Sequence, residues 1–87
     1  MPLYFFHLDD GKFIPDTIGT ELASLDVARA EAVALSGAML RDTGGKFWKQ
    51  SEKWRMHVTD ADSRLLFTLH FSAEVPSGPV IFRPAPE

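Results

Sequence analysis

Three histidines, His7, His57 and His70, are the side chains in this 87-residue chain best suited to metal or proton chemistry. Neutral imidazole is a common zinc ligand, and three rings meeting at one point would leave a fourth position for water or substrate. None of the three sits in an HxH or HxxxH pair, so only a fold that joins distant segments can bring them together. The plainer reading is that each occupies a polar position on an exposed strand face or at a contact between chains. Carboxylates are the other candidates. Asp9, Asp10 and Asp16 lie close in sequence, as do Asp60 and Asp62. Paired carboxylates can bind a divalent cation or move protons. These five fall in expected turns, where aspartate normally bonds its own backbone, and "DADS" lacks the length and the glycine of a calcium loop. No catalytic or metal assignment is made on them.

Other chemistries lack their residues. There is no cysteine, which excludes disulfides, thiol catalysis and thiolate metal sites. No serine lies in a GxSxG elbow. "TGGK" is too short for a phosphate loop and follows a helix instead of opening one. The formal charge of −3 argues against a general phosphate-binding surface, which needs clustered Lys and Arg. No apolar run approaches a membrane span, and the first residues lack the pattern of a signal peptide. The expectation is a cytoplasmic protein with no cofactor; the balance leans away from an enzyme without deciding it.

Period-two alternation positions the histidines. In "LYFFHLD", Tyr4, Phe6 and Leu8 share one strand face, and Leu3, Phe5, His7 and Asp9 the other. Asp10-Gly11 predicts a two-residue hairpin turn, and "KFIPD" a second strand that Pro15 ends. "DTIG" at 16–19 reads as a turn with Asp first and Gly last. Ser24 is an N-cap, with Asp26 in the first helical turn. The segment 24–45 is the one clear helix: Leu25, Ala28, Ala32, Leu35 and Met39 form an alanine-rich stripe, Gly37 weakens its interior, and Gly44-Gly45 ends it. Residues 46–53 read as a polar connection. Trp54, Met56 and Val58 alternate with Arg55, His57 and Thr59. Leu65, Phe67, Leu69 and Phe71 alternate with Leu66, Thr68 and His70.

The order strand, strand, helix, strand, strand predicts an α+β fold: a two-layer ββαββ domain with one helix on a four-stranded antiparallel sheet. It is expected over residues 1–75, followed by a proline-rich tail at 76–87. "VIF" at 80–82 is expected to be held down by its own domain or a neighbouring chain.

The segments "YFFHLDDG", "PDTIGTEL", "LDVARAEA" and "WRMHVTDADSRLLFTLHF" resemble a family of small bacterial proteins that open Met-Pro-x-Tyr-Phe-Phe-His and carry an Asp-Gly turn. The likeness spans roughly residues 1–75. The family is a domain of unknown function, so the resemblance implies a fold outline and a bacterial origin but no active site. Ser63 stands where that pattern has glycine, which implies a strained turn. A looser similarity, at the level of fold analogy only, is to the small domains of HicB-type antitoxins.

The face opposite the helix is expected to carry Phe5, His7, Arg55, His57, Leu66, Thr68 and His70. Such a mixed face resembles an interaction surface more than a solvated one. The expected function is a non-catalytic binding or regulatory module, acting through protein–protein contacts as a homodimer. One alternative is metal or ligand binding by His7, His57 and His70. Another is a nucleic-acid-associated regulator using Lys46, Phe47, Trp48 and Lys49, since basic residues interleaved with aromatics suit single strands. Nucleic acid is not the expected partner.

Overall fold

A computed structural model describes residues 1–50 and 53–85. Strand β1, Leu3–Asp9, carries the alternation seen in the sequence: Tyr4 and Phe6 are buried while Phe5 and His7 are half-buried on the other face. Strand β2, Phe13–Ile14, stops before Pro15, which has no N–H to continue the ladder. The turn between them is three residues long, because Asp9 pairs with Phe13. Two aspartates lengthen it beyond the expected Asp10-Gly11 pair. Asp9 Oδ1 accepts from the Gly11 amide and Asp10 Oδ1 from the Lys12 amide, while Gly11 takes a φ of 101°.

A further strand, β3 at Thr20–Glu21, pairs with the start of β1. Two residues show no periodicity, so the sequence carries no sign of it. Helix α1, Leu25–Thr43, starts where Ser24 Oγ accepts the Val27 amide at 3.3 Å. It ends at Gly44, whose φ of 54° turns the chain back so that its N–H reaches the Leu40 carbonyl. The polar connection expected over 46–53 is helical from Lys46 to Gln50, and its last residue, Lys53, already opens the next strand. A 3-10 turn, Gly44–Lys46, leads into a short helix α2, Phe47–Gln50. No breaker interrupts this stretch, and Phe47 packs against the core. Positions 51 and 52 lie outside the described residues.

Strands β4, Lys53–Thr59, and β5, Leu65–Ser72, complete an antiparallel sheet in the order β2-β1-β4-β5, with β3 also on β1. The architecture is α+β, one helix on one face of an antiparallel sheet, with five strands in place of the expected four. Tyr4, Phe6, Trp54, Met56 and Val58 form the sheet side of the core. Ala28, Ala32 and Ser36 are fully buried on the helix side. Small side chains let the helix lie close on the large ones, and burying each large one contributes roughly 1.5–3 kcal/mol. Ser36 donates to Met56 Sδ at 3.6 Å, so its buried hydroxyl has a partner.

The β5 alternation breaks at one point. Val58 pairs with Phe67 but Thr59 with Leu65, leaving Leu66 as the extra residue of a bulge. Leu65 therefore joins the row of Thr59, on the side of the sheet away from the helix, and not the core row expected for it. It is 61% exposed.

Beyond β5, residues 73–85 form no helix or strand. Val80, Ile81 and Phe82 are 71%, 77% and 84% exposed, so their own domain does not hold them. Residues 86 and 87 lie outside the described residues. Among those described, no helix is long and apolar enough to cross a membrane.

Candidate functional site

The outer face is built in cross-strand rows. Phe5, Thr59 and Leu65 form one row; His7, His57 and Thr68 the next; Phe13, Asp9, Arg55 and His70 the third. The strand pairing thus brings Phe5, His7, Arg55, His57, Thr68 and His70 onto one surface. Leu66 is displaced by the bulge, and Leu65 takes the row position beside Thr59.

Three rings run in a column down the β1 edge of this face. Phe5 stacks on His7 with centroids 6.3 Å apart and planes 10° from parallel. His7 stacks on Phe13 at 6.0 Å and 26°. Phe5 also lies over Gly19, where an added Cβ would sit 2.9 Å from Phe5 Cε2. Gly19 has a φ of 79° and leaves room for the ring.

Both nitrogens of His7 are engaged. The Asp16 amide donates to Nδ1 at 3.1 Å, and Nε2 lies 3.0 Å from Thr59 Oγ1. A backbone amide can only donate, so Nδ1 accepts, the ring proton is on Nε2, and Thr59 Oγ1 receives it. This leaves His7 no lone pair for a metal. His57 is directly opposite, with Nδ1 3.0 Å from Thr68 Oγ1. His70 is one row further along and exposed. Among the described residues, no group of three His, Cys, Asp or Glu side chains is placed to hold a metal ion. The fold shares one face among the three imidazoles without converging them.

Asp16 is the organising residue that reading by turn type alone does not reveal. Its Oδ1 accepts from the Ile18 and Gly19 amides, both at 3.0 Å, which closes the expected turn. Its Oδ2 accepts from the Phe6 amide at 3.1 Å, across the edge of β1. Burial opposes ionisation of this carboxyl. The amides of Gly19, Phe6 and Ile18, with His7 nearby, outweigh it and hold the carboxyl below its ordinary value. The sequence signal was the Asp-x-x-Gly spacing; its link to His7 needed the fold.

One shallow cleft borders the column and a larger one lies apart from it. The smaller is bounded by Phe5, His7, Asp16, Thr59, Asp60 and Ser63. The larger, about 320 Å³, lies at the far end of β4 and β5 between Lys53, Arg55 and His70, with Trp54 and Phe71 also lining it. Asp60 accepts from the Asp62 and Arg64 amides and from Arg64 Nε, and so serves the β4–β5 turn. Its carboxyl is held below the ordinary range, first by the Arg64 amide, against burial, and then by the Arg64 side chain and the Asp62 amide.

Lys46, Phe47, Trp48 and Lys49 lie on the helical connection and not on the sheet. Phe47 is turned into the core. Trp48 is exposed, meeting Phe47 edge-on at 6.2 Å. One outward ring between two exposed lysines is a small platform for stacked bases.

Neither a curated protein nor a solved structure matches this chain. A family model described as a domain of unknown function, DUF6894, matches residues 3–72, from the first residue of β1 to the last of β5. The chain belongs to the DUF6894 family.

Proposed function

We propose that this chain is a small non-catalytic binding module of a bacterial cytoplasm, and that it self-associates through the outer sheet face. The observation that carries the reading is the ring column Phe5–His7–Phe13. It is flat, it is supported from below by Gly19 and from the side by Asp16, and it ends in a phenylalanine 58% exposed. Rigid aromatics fixed before contact lose little entropy on binding, which is why they anchor interfaces. Leu65 adds exposed apolar surface on the same face, while Arg55, His57 and His70 supply a polar rim. The internal use of both His7 nitrogens supports a structural role for that ring over a catalytic or ligating one.

The test is the solution mass of the purified chain over a range of concentrations. The expected result is a dimer of the 9.7 kDa chain, shifted toward monomer by Phe13→Asp. Phe13 is at an exposed edge, so this change leaves the core intact. A wild-type chain that stays monomeric at high concentration would refute the reading.

A further inference from the structure

The C-terminal segment Val80–Arg83 and the free edge of β5 have complementary needs. Strand β5 is the last in the sheet order, and among the described residues nothing pairs with its outer edge. It is eight residues long, "LLFTLHFS", with no charged residue and no proline. Long apolar edges of this kind invite another strand, and proteins normally protect them with lysine, proline or a cover.

Beyond β5 the chain carries a run made of strand-forming residues. Val80, Ile81 and Phe82 favour extended backbone. Pro79 and Pro84 bracket the run, so Val80–Arg83 offers four consecutive N–H groups, the longest such run beyond β5. These three apolar side chains are among the most exposed in the molecule. No hydrogen bond among the described residues ties 74–85 to the domain. The radius of gyration is 16.0 Å, against about 12 Å for a compact chain of this length.

We infer that Val80–Arg83 adds as a short strand to the β5 edge of a second copy of this chain, the two copies exchanging arms. The chain bends at Ser77–Gly78, so a return to its own edge is open to it. Even so, Val80–Phe82 stay off their own sheet. The seven residues 73–79 reach roughly 22 Å when extended, enough to cross to a neighbour. A four-residue strand is too small to hold a dimer alone, since stable interfaces bury about 1,600 Å². The exchange therefore rests on the outer-face dimer proposed above, which it closes on both sides of a two-fold axis.

The experiment measures the dimer dissociation constant and β5 amide exchange for the full chain, Ile81→Asp and Phe13→Asp. Ile81 is exposed, so its substitution does not threaten folding. Arm exchange predicts that Ile81→Asp weakens the dimer by about tenfold or more and that β5 amides lose protection as the dimer dissociates. An Ile81→Asp chain with unchanged affinity overturns the inference, for instance because two β5 edges pair directly. Lost β5 protection with unchanged mass also overturns it, by showing that the arm folds back on its own sheet. If Phe13→Asp dissociates the dimer and Ile81→Asp does not, the outer face stands and the arm fails. The reverse pattern removes the outer face and overturns the exchange in this form, since the arm is argued to need that face.

Discussion

The Asp16 carboxylate takes the Phe6 amide at 3.1 Å, at a point on β1 where neither β2 nor β3 supplies a partner. Two short strands lie on this edge, β2 beside Leu8 and Asp9 and β3 beside Leu3 and Tyr4. Asp16 bridges the interval with a side chain in place of backbone. Its own amide then fixes the His7 ring. One residue therefore joins the turn, the sheet edge and the aromatic column.

Replacing Asp16 tests that joint. Asp16→Ala leaves the Phe6, Ile18 and Gly19 amides without this acceptor and is expected to cost about 2–3 kcal/mol. Asp16→Asn keeps one oxygen for Ile18 and Gly19 and should cost less. Because folding lowers the Asp16 pKa below 3.8, its contribution is complete above the unfolded value. It is lost as pH falls through the folded one. Urea unfolding between pH 2.5 and 6 should show a wild-type decline below about pH 4 that is shallower in Asp16→Asn. Equal declines would remove Asp16 as a source of acid sensitivity.

Gly19 is required by space as well as by backbone. At a φ of 79°, alanine pays roughly 1–2 kcal/mol. Its Cβ also meets Phe5 Cε2 at 2.9 Å and Leu3 Cγ at 3.0 Å. Gly19→Ala is therefore expected to destabilise by about 2–4 kcal/mol. It should also shift the Phe5 and His7 ring resonances together, since the two stack. A stable variant with an unmoved Phe5 would show that the ring is not seated on Gly19.

How far the sequence disclosed this arrangement depends on element length. Seven-residue strands β1 and β4 show period two clearly, and the Tyr4/Phe6 and His7/His57 faces follow from it. The two residues of β3 are too few to show any period. The bulge at Leu66 adds a residue that alternation cannot anticipate, so Leu65 is legible as core yet lies on the outer row. The Asp16–His7 contact joins residues nine apart through a turn, and only the folded path brings them together. The Ser63 strain was expected only from the resemblance to a pattern with glycine there; neither alternation nor composition discloses it.

Ser63 adopts a φ of 63° in the β4–β5 turn. Its amide donates to the Asp60 carbonyl, and an L-residue in this region is strained. Ser63→Gly relieves the strain but adds freedom to the unfolded chain. The net gain expected is up to about 1 kcal/mol, seen as a melting temperature raised by roughly 4–8 °C. A lowered melting temperature would mean that the Ser63 side chain contributes more than its backbone costs.

Helix α1 offers two substitutions of opposite sign. Ala32 is fully buried against the sheet, where a larger side chain must push the helix away from Met56 and Val58. Ala32→Leu is expected to destabilise by about 1–3 kcal/mol. Gly37 is exposed, and a Cβ added there would meet nothing within 4 Å. Gly37→Ala should stabilise by about 0.5–1 kcal/mol, because alanine restricts the unfolded chain at a position whose helical backbone it fits. If Ala32→Leu were tolerated as well as Gly37→Ala, the helix would not be held close by its small residues, and the Ala28, Ala32 and Ser36 contact with the sheet would not define this core.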